Sequence, residues 1–508
     1  MTASKLLFIT STALLAVMPL RALAEESISY DASVTGGVSS GDFAPYYLAS
    51  NRFGTITQGD NLQLNLGFAR DLNLGKRFDW TYGARAVAGA YSSVRYDVYN
   101  TTSESFDSHA ERPASIWLQE LWAGVKWRCL YLTGGMRQDG SPWLDESLSS
   151  GDLVKSSNAR PLPGVDAGFV DFQTFPWTKG WLEVKGSLAF RWFTDNSYLK
   201  NRYNYYSYHI TLDQAYCYRD VYFRSRASEP FSVMIGAQVA SLFAGTTYRY
   251  NEGTLESVTH NPSGFKTYMK MFVPHEGGSE LYYDGQHLGA WDISARYRFR
   301  SGHTLTAYTQ WLWEDGSGMG KLNGWDGMWG LKFTAHEPWW IDGAAVEYLD
   351  FTNHSGPVHF APQHSDWVFG HTRATGADNY YNNVTYNGYS NYGMAMGGPS
   401  FMSPIYNRDG FPAFRQNRFR GFHAAVNGHL HPDLTYSLKV GYRKGYGTPY
   451  LPVREPRHLT SAMFGLDWKI SRVKGLSASL QAGADRGNMP SRSYGVLIGV
   501  KYEGIATF

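Results

Sequence analysis

Apolar and polar residues alternate one by one in many segments of this chain. Between residues 434 and 443 every even-numbered residue is apolar and every odd-numbered one is polar, charged or glycine (LTYSLKVGYR). The segments that begin at Leu182, Trp291 and Phe464 have the same period of two. Successive side chains of a β-strand point to opposite faces, so each segment predicts a strand with one apolar face. Each has about the length, ~9–11 residues, that a tilted membrane strand needs.

The charged residues of these segments share the second face. Lys185 and Arg298, for example, would be costly against lipid, so this face is expected to line a wet interior. Lipid cannot hydrogen-bond the backbone, so only helices and closed barrels span it. After residue 24 the chain has no run of ~18 apolar residues. The pattern therefore predicts an all-β protein, a transmembrane antiparallel β-barrel that contacts the lipid bilayer of an outer membrane.

Strand directions, assigned backward from the C-terminal residue, predict about eighteen strands. They begin near Ser27, Leu62, Trp80, Ser115, Leu130, Val165, Trp181, Tyr216, Phe231, His287, His303, Met328, Gly343, Phe419, Leu434, Leu459, Leu476 and Ser493. The links expected on the periplasmic side are short, such as Trp177–Gly180, Arg300–Gly302, His431–Asp433 and Arg472–Gly475, and nearly all the longer ones fall on the other side. This asymmetry is the rule for bacterial barrels. The segment from Ser115 alternates poorly, because Glu120 and Trp122 fall in one phase.

Both ends of the chain indicate export to the outer membrane. Lys5, the apolar stretch Leu6–Leu20 and Ala22-Leu23-Ala24 predict a signal peptide over residues 1–24, cleaved near Ala24, which leaves one barrel domain over residues 25–508. The final alternating strand ends in Phe508. A terminal aromatic residue of this kind resembles the signal that the outer-membrane assembly machinery reads.

Composition agrees with a barrel and argues against a nucleic-acid partner. The 36 Tyr and 17 Trp residues suit the aromatic belts at membrane interfaces. The net charge is +2, and no basic cluster stands out. Cys129 and Cys217 fall at opposite ends of the traced barrel and are expected to be free thiols. The alternative is a secreted β-propeller or sandwich, which would not explain the terminal Phe508 or the one-sided loop lengths.

The longest external segment, from Thr352 to Arg418, holds the candidate binding residues. Its stretch Asp378–Gly398 is rich in tyrosine and asparagine (DNYYNNVTYNGYSNYGMAMGG). Aromatic faces stack on sugar rings while amides bond their hydroxyls, which predicts carbohydrate contacts. The candidates are Tyr380, Tyr381, Asn382, Tyr386, Tyr389 and Tyr392. Alternatively, this loop folds into the lumen and closes it.

Two further groups of polar residues are candidates for a metal site and a catalytic site. The spacing of the cluster His354, His359, His364, Asp366 and His371 matches no metal-ligand motif, so no metal is expected. The loop from Gly140 to Pro163 carries acidic residues that could pair as in a glycosidase: Asp145, Glu146 and Asp152. Solvated carboxylates are common in loops, and no nucleophile, zinc or phosphate-loop motif occurs. We therefore expect neither an enzyme nor a cofactor.

Several blocks of the chain resemble the capsule assembly Wzi family, in order along the sequence. They are PYYLASNRFG (Pro45–Gly54), LQELWAGVKW (Leu118–Trp127), LSSGDLVKSSNARPLPGVDAG (Leu148–Gly168), TKGWLEVKG (Thr178–Gly186), DNYYNN (Asp378–Asn383) and SPIYNRDG (Ser403–Gly410). The resemblance implies an eighteen-stranded outer-membrane barrel that acts as a surface lectin and holds capsular polysaccharide on the cell. It adds Arg160 to the candidate residues, either as a glycan contact or as an anchor for its loop.

Two functions follow from these observations. The first is a non-enzymatic surface protein that binds capsular polysaccharide or exopolysaccharide, with long extracellular loops occluding its lumen. The alternative is a porin or oligosaccharide channel, since the residues predicted to line the lumen carry charges of both signs: Glu183, Lys185, Arg191, Asp292, Arg296 and Arg298. The length of the Thr352–Arg418 segment favours occlusion and therefore the first function.

Overall fold

The computed structural model describes residues 27–271, 285–355, 378–490 and 492–507, with two short strands, Trp367–Val368 and Thr372–Arg373, assigned between them. Eighteen antiparallel strands form one closed sheet. They are Ser27–Ser39, Asn61–Arg70, Phe78–Tyr91, Ile116–Trp127, Leu130–Met136, Gly164–Phe169 (continued as Gln173–Thr174), Leu182–Trp192, Ala215–Ser225, Phe231–Phe243, Gln286–Arg298, Thr304–Trp313, Gly327–Thr334, Gly343–Phe351, Phe419–His431, Leu434–Gly447, Pro452–Lys469, Leu476–Gly487 and Ser493–Thr507.

The barrel closes because its first and last strands pair along their whole length, from Ser27 opposite Thr507 to Ser39 opposite Gly495. The predicted strand count is confirmed, and so are the predicted strand starts with one exception. The strand predicted to begin near Leu459 begins at Pro452. We call the end with short connections, which also holds Ser27 and Thr507, the turn end, and the opposite end the loop end. The predicted signal peptide and Phe508 lie outside the described residues.

The exterior of the barrel is apolar in the predicted phase. On the last strand the predicted outward phase carries the exposed apolar side chains Tyr494, Val496, Ile498, Val500 and Tyr502. Leu497 lies between them and is buried inside, where it packs against the plug described below. An exposed apolar belt around a closed sheet is the surface that lipid covers in membrane barrels.

The strand with poor alternation contains an irregularity in its pairing. Arg85 lies opposite Glu120 while the next residue, Ala86, lies opposite Leu118, so Gln119 has no partner across the ladder. A β-bulge of this kind shifts the phase by one residue. Leu118 faces outward before it and Leu121 faces outward after it. The strand therefore keeps an apolar exterior although its sequence breaks the period of two.

The remaining regular structure lies in the connections. Short α-helices span Tyr46–Ala49, Asn196–Arg202, Phe265–Lys270 and Gly316–Met319, and 3₁₀ turns span Pro176–Thr178 and Pro404–Tyr406. Small loop-end strands are Val94–Asn100, Ser105–Glu111, Tyr208–Leu212, Thr246–Asn251, Thr254–His260, Ser390–Asn391 and Met394–Ala395. None of the helices in the described ranges is long and apolar enough to cross a membrane. Cys129 and Cys217 are free thiols.

Three loops fold back from the loop end into the lumen. We call residues 40–60, 137–163 and 378–418 the plug, and most of their side chains are buried. The largest apolar cluster joins plug residues such as Leu153, Tyr381 and Phe401 to wall residues such as Leu312 and Phe351. The helix Tyr46–Ala49 forms a second cluster with Met463 and Leu497. The core of the protein therefore lies inside the barrel, and the lumen is occluded as predicted.

Candidate functional site

Four of the predicted carbohydrate-binding tyrosines are enclosed in the plug. The exposed fraction is 0% for Tyr380 and Tyr381, 1% for Tyr389 and 5% for Tyr386. The hydroxyl of Tyr380 donates to Asp326 at 3.0 Å. The ring of Tyr381 stacks on Phe401 with ring centroids 4.0 Å apart, and the hydroxyl of Tyr389 donates to the carbonyl of Val154 at 2.8 Å. These phenols bond protein groups in the lumen.

The amides between the tyrosines have the same structural use. Asn382 donates to the carbonyl of Phe414 at 2.8 Å and accepts from the amide of Phe414 at 2.8 Å. Asn387 donates to the carbonyl of Thr211 at 2.7 Å. A buried backbone group without a partner is costly, so these side chains stabilise the irregular chain of the plug. In this conformation an external glycan does not reach them, and their role in sugar binding stays a prediction.

Tyr392 and Arg160 are the two predicted binding residues that are partly exposed. Both lie at the loop end, where the guanidinium of Arg160 is 4.5 Å from the ring centre of Tyr392. The same guanidinium is 4.1 Å from the ring centre of Trp117, near the start of the fourth strand. The hydroxyl of Tyr392 donates to the carbonyl of Thr194 at 2.9 Å. These rings hold Arg160 in place at the rim of the barrel.

A second group of aromatic residues, which the sequence reasoning missed, lies on the loop tips. We define the tip surface as seven partly or well exposed rings: Tyr99, Phe106, Tyr205, Tyr206, Tyr208, Tyr250 and Phe411. Tyr99 and Tyr206 have ring centroids 4.7 Å apart, and Tyr206 lies 5.3 Å from Phe106. Tyr205 meets Tyr250 at 5.3 Å. The sequence signal was present as RYNYYSYH, from Arg202 to His209, which is rich in tyrosine like the plug segment.

Two small loop-end sheets position the tip surface. The hairpin Val94–Asn100 with Ser105–Glu111 carries Tyr99 and Phe106. The sheet of Tyr208–Leu212, Thr246–Asn251 and Thr254–His260 carries Tyr208 and Tyr250. The amide of Tyr99 donates to the carbonyl of Asn204 at 2.7 Å, which joins the hairpin to the loop of Tyr205 and Tyr206. The rings are therefore held on ordered backbone.

The acidic residues of the loop from Gly140 to Pro163 take part in holding the plug. Asp152 is fully buried and accepts from the side-chain amides of Gln238 and Gln310, each at 3.0 Å. The same two amides also donate to Asp292 on the barrel wall, at 2.8 and 2.9 Å. Asp145 forms an ion pair with Lys332 at 3.7 Å. These contacts fasten the loop to the wall.

Another buried acidic group lies where the last plug segment enters the lumen. Burial raises the pKa of Glu314 to about 8 and the pKa of Asp326 to about 6. Burial also raises the pKa of Asp378, and the nearby carboxylates of Asp315 and Glu314 add to the effect. Glu314 accepts the backbone amides of Asn379 and Tyr381 at 3.1 and 2.9 Å. This group anchors the plug through carboxyls that burial favours in the neutral form.

The histidine cluster gives no metal site within the described ranges. Burial lowers the pKa of His354 to about 4, so its imidazole is neutral, and its two ring nitrogens lie 2.9 and 3.3 Å from the carbonyls of Asp378 and Asn417. Four other members, His359, His364, Asp366 and His371, have side chains outside the described residues. Among the described residues, no three His, Cys, Asp or Glu side chains are grouped as metal ligands.

Comparisons with known proteins identify the kind of barrel. No protein-family model matches the sequence, and no curated protein sequence matches it. The structure is similar to that of Wzi from Escherichia coli, an outer-membrane protein involved in group 1 capsule assembly and described as a carbohydrate-binding β-barrel. The TM-score is 0.54 at 13% identity, and the match covers 99% of this chain and 88% of that one.

Two Pseudomonas aeruginosa structures are also similar over most of their length. OccK7 has a TM-score of 0.44 at 9% identity and covers 95% of this chain and 99% of its own. The outer-membrane protein OprD has a TM-score of 0.43 at 9% identity and covers 96% and 95%. These TM-scores are too low to support an argument about function. At 13% identity the likeness to Wzi concerns the fold alone, and this chain is an eighteen-stranded outer-membrane β-barrel.

Proposed function

We propose that this protein binds and retains capsular polysaccharide or exopolysaccharide at the cell surface and catalyses no reaction. The packing of three loops inside the lumen is the observation that carries this proposal. Three loops pack against the wall with an apolar cluster and with buried polar contacts such as those of Asp152. Because loops occupy the lumen, we expect a ligand to bind at the external face of the barrel, which includes the tip surface.

The chemistry of the tip surface suits a sugar polymer. Exposed aromatic faces stack on the C–H faces of sugar rings, and neighbouring amides such as Asn100 and Asn251 can bond sugar hydroxyls. One aromatic contact contributes only about 0.5–1.5 kcal/mol. A polysaccharide repeats its unit many times, so several weak contacts act together and hold the chain at the surface.

The structural similarity to Wzi supports this proposal, because the two barrels share a fold. That barrel is described as carbohydrate-binding, and six blocks of the present sequence resemble its family. A porin or oligosaccharide channel is the alternative. It requires the plug to open, because the described plug residues pack against the wall inside the lumen. The two functions therefore predict different electrical behaviour in a bilayer.

The test combines glycan retention and conductance on one purified sample. We expect the full-length protein to pull down the surface polysaccharide of its own source cell and to show no steady conductance in planar bilayers. A variant with Tyr205, Tyr206 and Tyr250 changed to Ala should lose retention and keep its yield of folded barrel. Phe265→Ala, an exposed ring outside the tip surface, is the matched control. Large steady conductance with no retention would refute the proposal in favour of a channel.

A further inference from the structure

Arg160 differs from Arg191, the buried arginine of the seventh strand, in its surroundings. Its guanidinium lies over the rings of Trp117 and Tyr392, and its Nε is buried without a hydrogen-bond partner. Within the described part of the chain, no side-chain hydrogen bond or ion pair of Arg160 occurs. By contrast, Arg191 contacts two carboxylates, Asp139 at 2.6 Å and Asp166 at 2.9 Å.

A second arginine extends the same arrangement. The guanidinium of Arg202 is 4.0 Å from the ring centre of Tyr198 and 5.4 Å from that of Tyr96. Its Nε is also buried without a partner, and its ion pair with Glu111 is long, at 3.8 Å. Tyr198 contacts Tyr392 with ring centroids 5.7 Å apart. We call the resulting stack the arginine ladder: Trp117, Arg160, Tyr392, Tyr198, Arg202 and Tyr96.

The ladder has an unbalanced positive charge. Burial lowers the pKa of Arg160, and the positive charge of Arg202 acts in the same direction. Arginine nevertheless stays protonated in proteins, and a buried charge without a partner is costly. Glu111 is the only acidic side chain paired with either guanidinium in the described residues, and Glu111 also lies 3.7 Å from His109. An anionic group that reached the ladder would relieve this cost.

The geometry also selects the shape of that anion. The guanidinium carbon of Arg160 lies 4.1 Å from the ring centre of Trp117 and 4.5 Å from that of Tyr392, and a guanidinium carries its N–H donors in its own plane. A planar carboxylate binds a guanidinium in that plane through two parallel hydrogen bonds. Tyr392 and Trp117 are themselves partly exposed and can contact the ring that carries the carboxylate.

We propose that the arginine ladder binds the carboxylate of an acidic sugar, of the uronic acid type, in the retained polysaccharide. This inference rests on the proposed function, because it takes a surface glycan as the ligand. It adds a substrate class, an anionic rather than a neutral polymer. It also places the charged contact beside the tip surface. Arg160 binds the carboxylate, and the exposed rings of the tip surface contact neighbouring sugars.

The test compares two polymers that differ only in the carboxyl group, on detergent-solubilised full-length protein. The probes are polygalacturonate and its carboxyl-reduced, neutral form. We expect the wild-type protein to bind polygalacturonate at least tenfold more tightly, which corresponds to about 1.4 kcal/mol. The preference should shrink as sodium chloride is raised, because salt screens charge. This comparison needs no variant and therefore does not depend on how a substituted loop folds.

Three variants then assign the preference to the ladder. Arg160→Gln should lose at least tenfold in affinity for polygalacturonate and leave affinity for the neutral polymer unchanged. Arg160→Lys should lose most of the same preference, because an ammonium cannot offer paired donors. Arg408→Gln is the matched control, an exposed loop-end arginine that already pairs with Asp42 and contacts no ring of the tip surface. Heat-modifiable gel mobility verifies that each barrel is folded.

The outcomes separate this inference from the proposed function. Equal affinity of the wild-type protein for the charged and neutral polymers refutes the inference, and so does an Arg160→Gln variant that keeps the full preference. If the protein also retains its own cell's polysaccharide in either case, only the carboxylate contact is refuted. If it retains no glycan at all, the proposed function is refuted as well.

Discussion

Replacing Tyr381 by Ala should open the plug while leaving the barrel intact. The ring of Tyr381 has no exposed surface, stacks on Phe401 at 4.0 Å and meets Phe414 edge-on at 5.1 Å. Its hydroxyl donates to the carbonyl of Leu153 and accepts the amide of Gly398 at 2.9 Å. One side chain therefore joins the plug segment that begins at 378 to the loop that begins at 137.

The expected cost follows from these contacts. Truncating a buried aromatic ring to Ala costs about 3–5 kcal/mol. The amide of Gly398 and the carbonyl of Leu153 lose a partner as well, at about 1–3 kcal/mol for a buried group left unsatisfied. Tyr381→Phe keeps the ring and isolates this smaller second cost. The strand ladders do not involve Tyr381, so the thermal stability of the barrel itself should change little.

Conductance in planar bilayers and limited proteolysis measure the opening. The wild-type protein should be silent, Tyr381→Phe should open rarely, and Tyr381→Ala should show frequent conductance and faster cleavage within the plug. Heat-modifiable gel mobility should show a folded barrel in all three. A silent, protease-resistant Tyr381→Ala variant that has lost glycan retention would refute the reasoning. Such a result would mean that the ring contacts the glycan, as the tyrosine-rich sequence suggests.

Two further predictions concern charged groups. The pKa of Glu314 is raised by burial to about 8, so its contribution to plug stability is complete below its ordinary value near 4.5 and is lost as pH rises through about 8. Plug proteolysis should be faster at pH 9 than at pH 6, and combining Glu314→Gln with Asp378→Asn should flatten this dependence; an unchanged pH profile would contradict the assignment. Arg191→Gln leaves Asp139 and Asp166 without their shared cation and should destabilise the barrel by about 3–5 kcal/mol in urea unfolding, whereas Arg415→Gln should change stability by less than about 1 kcal/mol. Equal midpoints for these two variants would count against the buried ion pair.

The strands of the barrel could be predicted from the sequence because alternate residues face two different environments. Lipid on one face and a polar or packed interior on the other impose the period of two, and all the predicted strand starts except the one near Leu459 agree with the structure. The segment from Ser115 shows the limit of this reasoning. The bulge at Gln119 inverts the phase between Leu118 and Leu121, and a single sequence does not distinguish such an inversion from a weak strand.

The site was less predictable, because composition does not tell which side of the rim a loop occupies. The segments 203–208 and 378–392 are both rich in tyrosine, yet the first contributes exposed rings to the tip surface and the second is largely enclosed. What encloses the second is long-range contact, such as the bond between Tyr381 and Leu153, which are 228 residues apart. Arg160 was found only through a resemblance, and its missing counter-ion is visible only in three dimensions.

The three plug segments, 40–60, 137–163 and 378–418, all lie in connections between strands at the loop end. A plug that is connected only at the loop end can enter a barrel whose strands have already paired. Wall formation and filling are therefore separable steps, and an error in filling need not block insertion into the membrane. The plug can therefore diverge in evolution, or be exchanged by design, while the strands of the barrel stay the same.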